Sequence, residues 1–313
     1  MIGTERVKKI LLVALGGNAL IRKGQAGTIE EQLENLKIPM DQVARLSRDY
    51  RIIITHGNGP QVGNLLLQQE CCRDIPRLPL EILVAQTQGQ IGYMIESTLD
   101  SRLMEMNVRP PRYLVSLISY VVVDEHDPAF LNPSKPVGPV FSREKAVSLP
   151  YPVRKTSRGY RRVVASPRPV TIVEKREIRR LIQADFIIIC CGGGGIPVVR
   201  EGRSFHGMDA VIDKDLASAR LALEVGVDIL IIATDVEGAF LDYEKSDRKL
   251  VSSMTTGEAC RWLEQGHFPP GSMGPKIEAA VEFIRGGGAR AVITSLSAIE
   301  SAAVGRAGTE VTR

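Results

Sequence analysis

Short runs of Ile, Val and Leu, each ending in a glycine turn and followed by a helical stretch, recur along this chain. Ile10-Leu11-Leu12-Val13-Ala14-Leu15 leads into Gly16-Gly17-Asn18-Ala19. Arg51-Ile52-Ile53-Ile54-Thr55 leads into His56-Gly57-Asn58-Gly59-Pro60, where Pro60 suits the first position of a helix. Phe186-Ile187-Ile188-Ile189-Cys190 leads into Gly192-Gly193-Gly194-Gly195-Ile196-Pro197. Apolar runs without alternation are what strands need when both faces are buried, as they are in a parallel sheet crossed by helices. The pattern predicts an α/β fold with an open, mainly parallel sheet in an αβα sandwich and right-handed crossovers. Ligands of such sheets gather at the carboxyl ends of the strands, where these glycine turns fall.

Apolar periodicity places helices at about 29–47, 80–106, 174–184, 215–225, 256–265 and 275–285, with Pro39 inside the first. Further strands are expected at about 113–117, 228–233 and 289–294, the last clear one. Between 119 and 169 the rhythm breaks. Pro128, Pro133, Pro136, Pro139, Pro150, Pro152, Pro167 and Pro169 interrupt any long element, and Arg154, Lys155, Arg158, Arg161 and Arg162 cluster there. Insertions of this length in compact domains tend to be lids or binding loops.

With 44% hydrophobic residues and only 5% aromatic, the 313-residue chain has material for a sizeable aliphatic core. The net charge of +4 is a mild excess. A nucleic-acid reader shows a denser basic stripe, whereas an anionic small substrate accounts for the surplus. The five cysteines, Cys71-Cys72, Cys190-Cys191 and Cys260, contain no Cys-x-x-Cys pair, so reduced thiols are expected rather than a disulfide framework or zinc site. The N-terminal residues 1–9 are polar, and no stretch approaches the roughly 20 apolar residues of a membrane span. A soluble, cytoplasmic protein is expected.

Two lysines sit where phosphoryl chemistry would need them. Lys214 lies in Val211-Ile212-Asp213-Lys214-Asp215, and the aspartates on either side would orient nearby ammonium groups. Lys276 lies in Gly271-Ser272-Met273-Gly274-Pro275-Lys276 at a helix start, an unfavourable end for a cation unless an anion lies between it and the helix. Fixed positive charge and bare backbone N–H groups are the main requirements of phosphoryl transfer. The usual phosphate loop ending in Gly-Lys-Ser/Thr is missing. So is the dinucleotide fingerprint, since Val62 and Pro197 stand where its third glycine would be. Four consecutive glycines at 192–195 carry an entropic cost of about 0.5–1 kcal/mol each, which points to a close ligand or a crowded crossing, and a ligand is the expectation here. His56 is read as structural rather than as a base.

Together these motifs resemble carbamate kinase, a member of the amino acid kinase superfamily. The residues that carry the resemblance are Val13-Ala14-Leu15-Gly16-Gly17-Asn18-Ala19, His56-Gly57-Asn58-Gly59-Pro60-Gln61-Val62-Gly63-Asn64, Cys191-Gly192-Gly193-Gly194-Gly195-Ile196-Pro197-Val198, Val211-Ile212-Asp213-Lys214-Asp215 and Gly271-Ser272-Met273 with Pro275-Lys276. They follow one another in the family's order over nearly the whole chain. The resemblance implies reversible phosphoryl transfer between ATP and carbamate, giving ADP and carbamoyl phosphate. It implies one amino acid kinase domain over 1–313, with a carbamate-binding lobe at about 1–185, a protruding lid at about 119–169 and a nucleotide-binding lobe at about 186–313. Lys214 and Lys276 correspond to lysines on the moving phosphoryl group, Asp215 to the aspartate that organises them, and Lys135 to a lid lysine that reaches the substrate. Gly16, Gly17 and Asn18 correspond to the loop at the phosphate, and Gly57, Asn58, Gly59, Gly193 and Gly194 to the carbamate side. Asp235, Tyr243, Met273 and Pro275 fall in the nucleotide region.

The resemblance further implies ATP or ADP as substrate, Mg²⁺ held mainly by phosphate oxygens with no protein metal cage, a homodimer, and neither nucleic-acid nor membrane partners. Related acylphosphate kinases carry a lysine just before the Gly-Gly, where this chain reads Val13-Ala14-Leu15. Met94 and Tyr160 stand where the family often has tryptophan, and Gly274 replaces a larger apolar residue; these departures are expected to bear on lid packing. Three other readings stay open: another small-acid or phosphate kinase of this fold, such as an isopentenyl phosphate kinase; an idle nucleotide-binding regulator, which would be expected to lack the lysines; and a nucleic-acid binder using the basic stretch 158–168.

Overall fold

Strand β1 (Ile10–Leu15) runs through the middle of the molecule, with all but its first residue buried. The computed structural model describes residues 8–71, 74–156, 159–243, 248–269 and 271–313. After β1 the chain forms α1 (Ile29–Leu46), β2 (Arg51–His56), α2 (Gly59–Cys71), α3 (Leu80–Glu105) and β3 (Leu114–Ser116). Then come β4 (Tyr120–Val122), β5 (Lys135–Phe141), α4 (Arg143–Val147), β6 (Val153–Thr156), β7 (Gly159–Val164) and β8 (Thr171–Ile172). The βα rhythm resumes with α5 (Lys175–Gln183), β9 (Ile187–Ile189), β10 (Ile196–Glu201), β11 (Ser204–Gly207), α6 (Lys214–Val225) and β12 (Ile229–Thr234). The last stretch holds β13 (Phe240–Leu241), β14 (Lys249–Leu250), β15 (Ser253–Thr255), α7 (Thr256–Glu264), α8 (Met273–Arg285), β16 (Arg290–Ser295), α9 (Ile299–Ala303) and β17 (Thr309–Thr312).

Eight strands make the central sheet in the order β15-β17-β16-β12-β1-β2-β9-β3, parallel throughout except where β17 meets β16. Side chains alternate between its two faces. Leu12, Ala14, Ile53, Ile188, Leu230, Ile232 and Ile293 face the core closed by α5, α6, α7 and α8. Leu11, Val13, Leu15, Ile52, Ile54, Ile229 and Ile231 face the core under α1, α3 and α9. Each such Ile or Leu contributes about 1.5–3 kcal/mol by burial. Local sequence fixes the helix starts: Thr28 and Glu31 form a reciprocal capping box on α1, and Thr255 and Glu258 do the same on α7. Pro39 sits inside α1 without ending it.

The stretch 119–169 is richer in structure than its prolines imply. It holds the three-stranded sheet β5-β7-β6, with Pro136 and Pro139 on the edge strand β5, where a missing N–H is tolerated. Strand β4 belongs to a second sheet, β11-β10-β4-β8, and so pairs with residues beyond the insertion. Strand β17, past the last strand expected from sequence, pairs with both β15 and β16.

Met94 is a correction: it lies on α3 in the core beneath the central sheet, 2% exposed, and not in the lid. Tyr160 lies on the lid strand β7, opposite Lys155 and Phe141. Gly274 belongs to the first turn of α8, where a Cβ would stand 3.1 Å from the Pro269 carbonyl oxygen. Among the described residues, Cys71, Cys190, Cys191 and Cys260 are free thiols and no helix is long and apolar enough to cross a membrane. Residues 1–7, Cys72 and Arg158 lie outside the described residues.

Candidate active site

The glycine turns after β1 and β2 lie side by side because their strands are neighbours. Gly16 N–H donates to the Ala233 carbonyl at 2.9 Å, and Gly57 N–H donates to the Leu15 carbonyl at 3.1 Å. A Cβ on Gly57 would stand 3.2 Å from the Gly17 nitrogen, so the two turns meet backbone to backbone. Asn58 is buried, and its Nδ2 donates to Thr87 Oγ1 at 2.9 Å.

The third turn, after β9, corrects the reason given for its glycines. Gly193 has φ +66 and Gly194 φ +91, conformations that favour glycine. A Cβ on Gly192 would collide with the His56 ring, one on Gly193 with the Asn58 carboxamide, one on Gly194 with the Ile212 carbonyl and one on Gly195 with Val121. Protein atoms fill the space, so a crowded crossing excludes the side chains. Gly193 still lines the cavity described next, while Gly194 packs on Ile212. Burial, with the charge of Lys214 nearby, pulls the His56 imidazole down to about 4 even though it contacts the Gly57 carbonyl at 3.2 Å. Neutral at ordinary pH, His56 is a packing residue beneath Gly192.

A cavity of about 230 Å³ opens at the carboxyl ends of β1 and β2. Gly16, Gly17, Gly57, Asn58 and Gly59 form one wall, Lys135 of the lid another, and Asp213, Lys214, Asp215, Pro275 and Lys276 a third. The helices α2, α6 and α8 all begin at this cavity, so three sets of amide dipoles point positive ends toward it.

Asp215 stands between the two lysines. Its Oδ2 accepts from Lys276 Nζ at 2.9 Å, and its Oδ1 lies 2.6 Å from Lys214 Nζ as an ion pair off the alignment of a hydrogen bond. Lys214 Nζ also reaches the Ala14 carbonyl at 3.4 Å. All three side chains are nearly buried, at 5% to 15% exposure, so their charges are weakly screened. Burial opposes the Asp215 charge, but the two ammonium groups outweigh it and hold the carboxyl well below its usual range. Burial lowers Lys214 despite Asp215, whereas for Lys276 the pull of Asp215 overcomes burial and raises it. On the lid side, Lys135 Nζ pairs with Asp213 Oδ2. Three ammonium groups face two carboxylates, leaving one positive charge in excess for an anion.

A second cavity, of about 390 Å³, adjoins the first and shares Gly271, Ser272 and Lys276 with it. Asn18, Asp235, Tyr243 and Met273 line it, while Pro275 lines the first cavity instead. Sequence reading missed Thr234, Phe240 and Phe268 here, and quoted Ser272 within a motif without giving it a role. Phe240 and Tyr243 meet edge to face at 5.8 Å between ring centroids. In a chain so poor in aromatics, Phe240 three residues before Tyr243 was the available signal. Among the described residues no group of three or more His, Cys, Asp or Glu side chains gathers as a metal cage.

Comparison with known proteins agrees with this architecture. Residues 9–295 match the amino acid kinase family. A carbamate kinase of Thermococcus kodakarensis is 46% identical over 97% of this chain and 99% of its own length. That of Haemophilus influenzae is 44% identical, over 97% of this chain and 96% of its own. The solved structure of carbamate kinase from Giardia lamblia bound to AMP-PNP superposes with a TM-score of 0.90 at 38% identity, covering 98% of this chain and 99% of that one. With likeness of that extent along its whole length, the chain belongs to the carbamate kinase branch of the amino acid kinase family.

Proposed function

We propose that this chain transfers a phosphoryl group reversibly between ATP and carbamate, giving ADP and carbamoyl phosphate. The observation that carries the reading is Asp215 gripping Lys214 and Lys276 at the junction of the two cavities. The larger cavity, with Phe240, Tyr243 and Asp235, takes the nucleotide; the smaller takes carbamate beside Lys135, Asn58 and Gly193. The nucleotide is the magnesium complex, its ion carried by phosphate oxygens and water.

A carbamate oxygen attacks the γ-phosphorus in line; the new O–P bond forms as the bond to the β-phosphate oxygen breaks, and ADP leaves with that electron pair. Carbamate is already an anion, so no general base is needed. The work is to hold two anions together and spread the charge growing on the phosphoryl oxygens. Lys214 and Lys276 supply fixed positive charge, the N–H groups of Gly17, Asn58 and Gly59 in the two turns supply donors, and buried surroundings keep both effective. Asp215 holds the two ammonium groups at one place and sustains the charge on each.

The reading carries with it a cytoplasmic location and a homodimer, and the dimer has a surface to support it. Ile82, Tyr93 and Met104, spaced by eleven residues, form an exposed line along α3 beside the edge strand β3. Sedimentation equilibrium would give twice the chain mass, falling to one with charged residues at Ile82 and Tyr93. The activity is tested by incubating the protein with ADP, Mg²⁺ and carbamoyl phosphate. ATP should form, and in the forward direction ADP release should need carbamate and not acetylglutamate, aspartate or isopentenyl phosphate. ADP release with one of those acceptors alone would replace the reading.

A further inference from the structure

We propose that Asp213 is a positioning residue that seats the lid lysine, Lys135, over the acceptor cavity and ties it to the helix bearing Lys214 and Asp215. The inference rests on the reading of the site given above and deepens it.

Asp213 divides its two carboxylate oxygens between the main body and the lid. Oδ1 caps α6, accepting from Asp215 N–H at 2.9 Å and Leu216 N–H at 3.4 Å. Oδ2 pairs with Lys135 Nζ, which comes from β5, 78 positions away. The cap orients the first turn of α6, which presents Lys214 and Asp215 to the cavity. The pair orients the only lid ammonium among the described residues that line that cavity. One side chain therefore sets both in a common frame.

The lid's backbone arrives at the same place by independent contacts. The lid meets the chain just before Asp213, where Val211 N–H donates to the Ala165 carbonyl at 3.0 Å. Strand β5 is pressed on α2 so closely that a Cβ on Gly63 would stand 2.5 Å from Gly138 Cα. These contacts bring the strand to the cavity but leave the long, rotatable Lys135 side chain free; the pair with Asp213 restrains that side chain and adds a further tie on the start of β5. An ammonium group has three donors, and the pair with Asp213 occupies one, leaving two for a bound anion. Asp213 thus remains as a bracket when substrate arrives and need not be displaced. At 12% exposure it is the more buried partner, so the fixed end of the pair belongs to the main body and the guided end to the lid at 34%.

The test is Asp213→Asn, which keeps an oxygen to cap α6 and removes the charge that holds Lys135. The KM for carbamoyl phosphate should rise about fivefold, the scale of a partly exposed ion pair, while kcat falls less and the KM for ADP stays put. In a Lys135→Met background the same change should leave the KM for carbamoyl phosphate where Lys135→Met put it, because the pair that acts on that KM is gone; the support Asp213 gives the charges of Lys214 and Lys276 would show in kcat instead. Multiplying effects on that KM, or an unchanged KM in the single variant, would overturn the proposal. Amide hydrogen exchange gives a reading independent of turnover. In the unliganded protein, β5 and β7 should exchange faster in Asp213→Asn, and unaltered protection would count against a seat at Asp213. If the unmodified protein makes no ATP at all, the assignment of function fails, whereas the exchange comparison still decides the role of Asp213.

Discussion

Replacing Asp215 with Asn removes one charge and almost no volume, so it isolates what that charge does. In the native site its oxygens lie 2.6 Å from Lys214 Nζ and 2.9 Å from Lys276 Nζ. Taking one partner from a buried pair costs about 3–5 kcal/mol, because the remaining charge is left uncompensated. Here two ammonium groups would be left, each repelling the other. The protein relieves this by shedding a proton, and Lys214, already lowered by burial, is the group that gives way. A neutral amine no longer offsets charge on the phosphoryl oxygens, and losing one preorganised donor costs about 10²–10³ in kcat. Initial rates of ATP formation from ADP, Mg²⁺ and carbamoyl phosphate, taken across neutral to alkaline pH, measure it. The variant should lose rate as pH rises from neutrality and approach that factor at the alkaline end, while the unmodified protein holds. A loss under tenfold at the alkaline end, or one that ignores pH, would show that Asp215 does not maintain the charge on Lys214.

Lys214→Ala should lower kcat by about 10²–10³ with little change in the KM for ADP, since Lys214 lies in the smaller cavity; near-normal turnover in steady-state assays would remove it from the mechanism. Gly193→Ala forces a side chain onto Asn58 at a backbone angle of φ +66, and should raise the KM for carbamoyl phosphate and cost about 1–3 kcal/mol in urea denaturation. Asp215 also makes stability depend on acid. Its carboxyl is held below the ordinary 3.8, so the unfolded chain takes up a proton there first, and stability present above that pH drains away below it. Urea midpoints between pH 6 and pH 3 should decline more steeply for the native protein than for Asp215→Asn.

The central strands were legible because their composition admits no other use. Ile10–Leu15 was bounded correctly, and Arg51–His56 differed from expectation by one residue. A wholly apolar run flanked by glycine or charge has little freedom in where it ends. Strand β17 escaped because Thr309–Thr312 is short and mostly polar, and becomes a strand only through partners on both sides. In the lid, the prolines correctly forbade long elements but concealed short strands that pair with one another. The glycine row at 192–195 showed that side chains are excluded without showing by what. The excluding atoms belong to Asn58, Ile212, His56 and Val121, all distant in sequence. The two active lysines were visible from their flanks, whereas the pairing of Lys135 with Asp213 left no local mark. Met94 gave a helical position but not which face of α3 it occupied.

The contact between Gly63 and Gly138 gives the protruding sheet its clearance. Nothing but hydrogen separates the two chains there, so the height at which the lid rides is set by omission. A single methyl at position 63 would act as a shim, prising β5 off its helix and carrying Lys135 outward with it. Two glycines that line neither cavity thereby bear on how tall a molecule the floor and roof can enclose, and the site's appetite for something as small as carbamate begins with them.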